Sequence, residues 1–234
     1  MFSWPPSELE RQALLLSLHV ALAAVALALP LAVALAWLLG RGKFWGKAAL
    51  EAVVNLPLVL PPVVIGYALL VGFGRQGALG RWLSNTFDWQ FVFTFRGAVL
   101  AAAVMALPLM VRAIRQSLEA VDGGLEAAAR TLGASKARVF ATVTVPLMAP
   151  GLLSGAVLGF AASLGEFGAT ITFVSNVAGE TQTLPLAIYS ALQQPGGDEV
   201  AARLVLLAVL LALAALALAQ WCHRRMQRWL GQVP

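Results

Sequence analysis

Glu166 is the one acid set deep in an apolar run of this 234-residue chain, within Ser163-Leu-Gly-Glu-Phe-Gly-Ala-Thr170. Burying an unpaired carboxylate in a membrane costs about 3 kcal/mol or more, so this group must be paired, protonated or turned to water. A lone acid is poorly suited to gripping an anion; it suits a helix break or a subunit interface, and Gly165 and Gly168 beside it permit close helix approach. A second chemical feature is made of backbone. Pro57, Pro61 and Pro62 fall within Asn55-Leu-Pro-Leu-Val-Leu-Pro-Pro-Val-Val-Ile-Gly-Tyr67. Each lacks an N–H, so the helix must bend or break there, baring carbonyls near Gly66 and the Tyr67 hydroxyl. Such a break either lines a pathway or gate, or is a kink filled by neighbouring side chains.

The remaining reactive side chains are isolated. His19 reads as a hydrogen-bonded packing residue within an apolar segment, and Cys222, the only cysteine, as a packing residue at the end of another. No H-E-x-x-H, nucleophile–base pair or intramembrane carboxylate pair is present, so no residue is assigned a catalytic or metal-binding role. No G-x-x-x-x-G-K-[ST] occurs either: Gly46-Lys47 is followed by Ala48. The chain therefore cannot bind ATP through a P-loop. Proton coupling through Glu166 and His19 is the rival chemistry, with few ionisable groups to build a relay.

The elements that position these residues are membrane spans. Hydrophobic residues make up 60% of the chain and charged residues 12%, half the soluble norm, with a mean hydropathy of +0.82. The reading is an all-α polytopic membrane protein. Residues 1–12 form an N-terminal tail, read as mature because it lacks the cationic start of a signal peptide. Five spans follow within 13–222, at Ala13–Leu39, Ala48–Gly74, Gly97–Val111, Pro146–Val174 and Val200–Cys222, and residues 223–234 form a basic tail. A sixth span results if Ser163 to Leu192 divides into two crossings. Arg75–Arg96 has room for an external hairpin or interfacial helix, and Leu184–Gln194 for an amphipathic helix too short to span. Eleven of the sixteen Lys and Arg fall in Arg41–Lys47, Arg112–Arg138 and Arg224–Arg228, which places those segments in the cytoplasm, the N-terminus outside and the C-terminus inside. The seven tryptophans, at 4, 37, 45, 82, 89, 221 and 229, sit at or beyond span ends, as an interfacial belt requires. The net charge of +5 follows this loop distribution and gives no case for nucleic acid.

The long polar interruption, within residues 119–145, reads as two short helices. Leu125, Ala128, Ala129 and Leu132 form an apolar stripe, with Glu126 and Arg130 paired at i, i+4 opposite. Gly133 ends the first helix in a left-handed conformation, and Ser135 caps a second running toward Val143. Such helices lie on their own protein, on lipid headgroups, or in a partner's groove.

The order of residues here resembles the EAA signature of importer-type ABC transporter permeases. Ala127-Ala128, three residues beyond Ala129 to Gly133, and nine more before Val143-Thr144-Val145-Pro146 keep its spacing. The acid stands one residue early, at Glu126 where the pattern expects position 127, and valines replace Ile and Leu. The runs at 55–67, 96–115 and 163–176 are similar to permease subunits of molybdate importers, with sulfate and thiosulfate permeases as near relatives. The resemblance implies a type I ABC permease fold, a bacterial inner-membrane location and a homodimer enclosing the passage. It also implies two separate ATPase subunits that use ATP and Mg, none bound by this chain, and a periplasmic or lipoprotein molybdate-binding protein. The coupling role falls on Glu126, Ala127, Ala128, Arg130, Gly133 and Ala134. Tungstate and sulfate stand as alternative substrates.

Overall fold

The computed structural model describes residues 7–229, and among them all regular structure is helical. The order is α1 (Glu8–Arg41), α2 (Lys47–Val59), α3 (Pro62–Phe73), α4 (Ala78–Phe87), α5 (Phe95–Glu119), α6 (Gly123–Thr131) and α7 (Lys136–Val139). A π-helical turn (Phe140–Thr144) follows, then α8 (Val145–Leu147), α9 (Ala149–Leu164), α10 (Gly168–Val174), α11 (Leu184–Leu192) and α12 (Asp198–Trp229). Three helices, α1, α5 and α12, are each long and apolar enough to cross a membrane, and there are five spans if the bent pairs α2–α3 and α7–α9 each count as one.

α1 begins at Glu8, earlier than the predicted Ala13, because Ser7 and Glu10 form a reciprocal capping box: the Glu10 N–H donates to Ser7 Oγ (3.3 Å) and the Ser7 N–H to Glu10 Oε2 (2.6 Å). Five residues assigned to the N-terminal tail are thus helical, while residues 1–6, with Trp4, and residues 230–234 lie outside the described residues. The basic tail likewise continues α12 as far as Trp229.

The core is built from small side chains. Ala21, Ala24, Ala28, Ala32 and Ala36 recur at helical spacing on α1, and all are buried. All but Ala21 meet Ala98, Ala102 and Ala106 of α5 in one apolar cluster. Without bulky side chains between them the two backbones come close, which is how helices gain dispersion contact where lipid removes the hydrophobic drive. α9 uses the same device against α5: a Cβ on Gly155 would lie 2.9 Å from Ile114 Cγ1, and one on Gly159 2.5 Å from Met110 Sδ.

Polar contacts fix the ends. α11 packs against α1 and α12 with Leu184, Leu186 and Ala187 buried, and its first N–H donates to Ser17 Oγ on α1 at 2.6 Å. Nearby, Glu10 is 3% exposed and accepts from Arg203 Nε of α12 at 2.9 Å. Arg203→Ala should strand that buried carboxylate at a cost of about 3–5 kcal/mol, seen as a lower melting temperature of the detergent-solubilised protein. The double variant Glu10→Gln with Arg203→Met should lose far less, since it leaves no charge unpaired.

Two expectations about spans need correcting. The fourth does not run unbroken from Pro146 to Val174: α9 starts after a 65° bend at Met148 and stops at Leu164, and α10 begins only at Gly168. Nor does 163–192 divide into two crossings, because α10 and α11, with 7 and 9 residues, would reach only about 10–14 Å.

Candidate functional site

The proline cluster breaks the second span at Leu60–Pro61, between helices inclined at 115°. Pro62 opens α3 at a position where no helical N–H is needed, whereas Pro57 sits inside α2 without interrupting it. Beyond the break, α3 lies directly on α10. A Cβ on Gly66 would stand 2.6 Å from the Ala169 carbonyl oxygen and 2.8 Å from Thr172 Cβ, and one on Gly168 would stand 2.8 Å from Pro62 Cβ. The fold therefore joins three of the predicted pathway residues, Pro62, Gly66 and Gly168, into one contact between broken segments. Gly165 is not part of it, since its nearest neighbour in that sense is the Ala161 carbonyl of its own helix at 3.7 Å. Tyr67 is exposed, turned away from this contact.

Glu166 occupies the gap between α9 and α10. It is buried, and its Oε1 accepts the Ala169 N–H at 2.7 Å, one of the donors that the start of α10 leaves without a partner. It pairs with no cation among the described residues. The carboxylate thus holds the helix break, and through Ala169 it holds the residue against which Gly66 rests. Ser163 Oγ, a turn earlier, is buried without a hydrogen-bond partner. His19, predicted to be a hydrogen-bonded packing residue, is instead exposed on α1, and no hydrogen bond links it to Glu166. An exposed imidazole on the outside of the bundle provides no relay to a buried acid.

The second assembly is the polar segment between α5 and α9. Asp122 opens α6 by accepting the Gly124 N–H at 2.8 Å. Gly133 follows with φ +87°, a left-handed conformation that suits a residue without a Cβ. Ser135 then caps α7, its Oγ accepting the Arg138 N–H at 3.3 Å. Two helices hinged on glycine match the sequence reading, but the second does not run straight to Val143. It widens into the π-helical turn because Pro146 offers no N–H to Thr142, whose hydroxyl bonds back to the Arg138 carbonyl at 2.7 Å.

α6 has no buried residue. Leu125 and Leu132 are 49% and 89% exposed, so the apolar stripe is left open rather than packed on its own bundle. Ala127, Ala128 and Arg130 are exposed with it, and Ala129 and Ala134 are half-buried. Glu126 departs from expectation. Its carboxylate does not pair with Arg130, whose Nε reaches the Glu126 carbonyl instead (3.3 Å). It accepts from Thr144 Oγ1 at 2.7 Å and from Arg41 Nη2, 85 residues away, at 3.4 Å. Arg41 also reaches the Leu118 carbonyl of α5 at 3.4 Å. An i, i+4 pair needs both groups on the solvent side; the bonds from Arg41 and Thr144 turn the acid inward. The same end of the bundle carries Arg115 between Glu51 (2.8 Å) and Glu119 (2.7 Å), and Arg112 Nε on Asn55 Oδ1 (3.0 Å). Arg115–Glu119 is a local i, i+4 pair, but the ties of Arg115 to Glu51 and of Arg112 to Asn55 join α5 to α2 across 64 and 57 residues, and nothing in local spacing signals them.

Residues 21–228 match the family model described as the inner membrane component of binding-protein-dependent transport systems. The molybdenum transport system permease protein ModB of Haemophilus influenzae is 58% identical over 224 residues, covering 96% of this chain and 98% of that protein. Its Escherichia coli K12 counterpart is 58% identical over 92% of this chain and 94% of its own. The sulfate transport system permease CysT of Escherichia coli is 38% identical over 68% of this chain and 57% of its own length. Among solved structures, the fold is similar to a chain of a bacterial ABC transporter that imports alginate, with TM-score 0.75, 17% identity and coverage of 94% and 80%. It is also similar to a chain of the inward-facing methionine transporter MetNI, with TM-score 0.66, 16% identity and coverage of 93% and 94%.

Proposed function

This chain belongs to the family of inner membrane components of binding-protein-dependent transport systems, a multi-pass permease, and from that membership we propose that it carries molybdate inward as part of an ATP-driven importer. The observation that carries the substrate choice is the 58% identity with a molybdenum permease over nearly the whole of both chains, against 38% over 57% of the sulfate permease.

In this reading two copies enclose the passage, two ATPase subunits dock on the cytoplasmic face, and an extracytoplasmic binding protein delivers the dianion. The open stripe of α6, flanked by Ala127, Ala128, Arg130, Gly133 and Ala134, enters a cleft on the ATPase. Glu126 works from the other side of the helix. By holding Arg41 and Thr144 it makes α6 move with the ends of α1, α5 and the π-helical turn, rather than swing freely on Gly133. ATP binding draws the two coupling segments together and turns the passage outward; hydrolysis returns it. The broken helices α3 and α10, clamped at Gly66 and held by Glu166, are where the passage opens and closes. No Lys or Arg lies between 48 and 74 or between 139 and 202. A cationic site there would hold a dianion and slow its release, so selectivity falls to the binding protein.

The test is reconstitution with the partner ATPase in vesicles. Molybdate uptake should require ATP and a molybdate-binding protein, with tungstate competing, and a pH gradient without ATP should drive none. Stimulation by a sulfate-binding protein alone would overturn the substrate assignment, and uptake by the chain alone under a pH gradient would overturn the coupling.

A further inference from the structure

One face of α1 carries an open groove of about 1060 Å³, whose apolar wall the proposed transport mechanism leaves unused. Its wall on α1 is Pro30, Val33, Ala34, Trp37, Leu38 and Arg41, spaced i, i+3, i+4, i+7, i+8 and i+11. That is a single straight stripe about 16 Å long, apolar throughout until it ends on a guanidinium. The facing wall comes from α7 and the π-helical turn, with Val139 and Phe140 opposite the apolar stripe. Arg130 and Lys136 stand with Arg41 among the groove's lining residues, where the one acid, Glu126, is already engaged by Thr144 and Arg41. Trp37, 48% exposed, stands one turn short of Arg41, the depth at which indole rings mark a membrane interface.

We propose that this groove holds an anionic glycerophospholipid of the adjoining leaflet, one per chain, with an acyl chain along the α1 stripe and the phosphodiester among Arg41, Arg130 and Lys136. Three cations against one satisfied acid leave a surplus positive charge that only an anion complements, and basic pockets between spans at this level recruit acidic headgroups. The apolar stripe decides among anions. A free oxyanion could use the cations but not a hydrocarbon wall about 16 Å long. A soluble ATPase reaches Arg130 and Lys136 but not Pro30, three turns into the bilayer. The lipid would bridge α1 to the coupling segment beside the Glu126–Arg41 tie.

Native mass spectrometry of the assembled, detergent-purified transporter tests this. Titrated with phosphatidylglycerol and with phosphatidylcholine of the same chains, it should retain two phosphatidylglycerol molecules per transporter in preference. Lys136→Glu should weaken that retention about tenfold or more while leaving phosphatidylcholine unchanged. Ala34→Trp, which fills the stripe without altering charge, should weaken it as well. Equal retention of the two lipids, or an unaffected Lys136→Glu variant, would overturn the proposal. Displacement of phosphatidylglycerol by molybdate or inorganic phosphate would reassign the cations to a free oxyanion. A disulfide-linked dimer formed by the Ala34→Cys variant, and absent from the parent chain, would show instead that the groove seats the second subunit.

Discussion

Replacing Gly66 by alanine should reduce ATP-driven uptake about tenfold or more, although only one methyl group is added. That methyl would sit 2.6 Å from a backbone oxygen and 2.9 Å from the Ala169 Cα, neither of which is the movable end of a side chain. α3 and α10 must then part by several tenths of an ångström along their whole contact. Because Ala169 is also the residue whose N–H Glu166 holds, the separation loosens the carboxylate's grip on the helix break. Cores adjust to such overpacking at about 1–3 kcal/mol, which the fold can survive but the proposed gate, cycling between two packings, cannot absorb equally in both. Gly72 supplies the control. It lies on the same helix with nothing within 4 Å of its Cβ position, so Gly72→Ala should transport normally. Wild-type uptake by Gly66→Ala, measured in vesicles with the partner ATPase and binding protein, would remove the α3–α10 contact from the mechanism.

Gly133→Asp should separate ATP hydrolysis from uptake while leaving the membrane fold and the dimer intact. Nothing lies within 4 Å of the Gly133 Cβ position, so the side chain meets no obstacle in this chain. What it meets is the backbone: at φ +87° an L-residue carries strain of about 1–2 kcal/mol, which shifts the hinged arrangement of α6 and α7 by roughly 5- to 30-fold against the docked one. The new carboxylate also adds a charge at the edge of the open α6 surface. Gly133→Asn tells the two causes apart, because asparagine and aspartate meet the left-handed region alike and only aspartate brings a charge. Whatever coupling the asparagine variant loses is the share of the backbone, and whatever more the aspartate variant loses is the share of the charge. The ratio of molybdate imported to ATP hydrolysed is the readout, and an unchanged ratio in the aspartate variant would end the assignment of this segment as the coupling element.

Much of this architecture is legible from local rules. The helix–glycine–helix form of the polar segment follows from Gly133 and Ser135, whose effects reach only one turn in either direction. The break near Pro61 and Pro62 follows from two missing N–H groups, and the short helices α4 and α11 from length and periodicity. The Glu126–Arg130 pairing failed for the same reason these succeeded: it extrapolated a local rule to a residue whose partners, Arg41 and Thr144, arrive from elsewhere in the chain. His19 failed similarly, since the side of α1 that is buried depends on which helices pack there. The glycine stripe of α9 could have been found from its four-residue repeat, Gly151, Gly155 and Gly159, a signal for close helix approach.

Composition and charge distribution by themselves determined that the chain is a helical membrane protein with a long polar loop between apolar spans and no P-loop of its own, and the resemblance of residues 127–146 to the EAA signature implied a permease. Those properties are sums over residues or patterns within a few turns, so they need no knowledge of what packs on what. Only the tertiary structure decided the rest: that Glu166 holds the start of α10 instead of forming an ion pair, that Gly66 and Gly168 serve one contact while Gly165 does not, and that Glu126 faces its own bundle. Each depends on segments separated by tens of residues meeting at hydrogen-bond or van der Waals distance, where a shift of about one ångström makes or destroys the interaction.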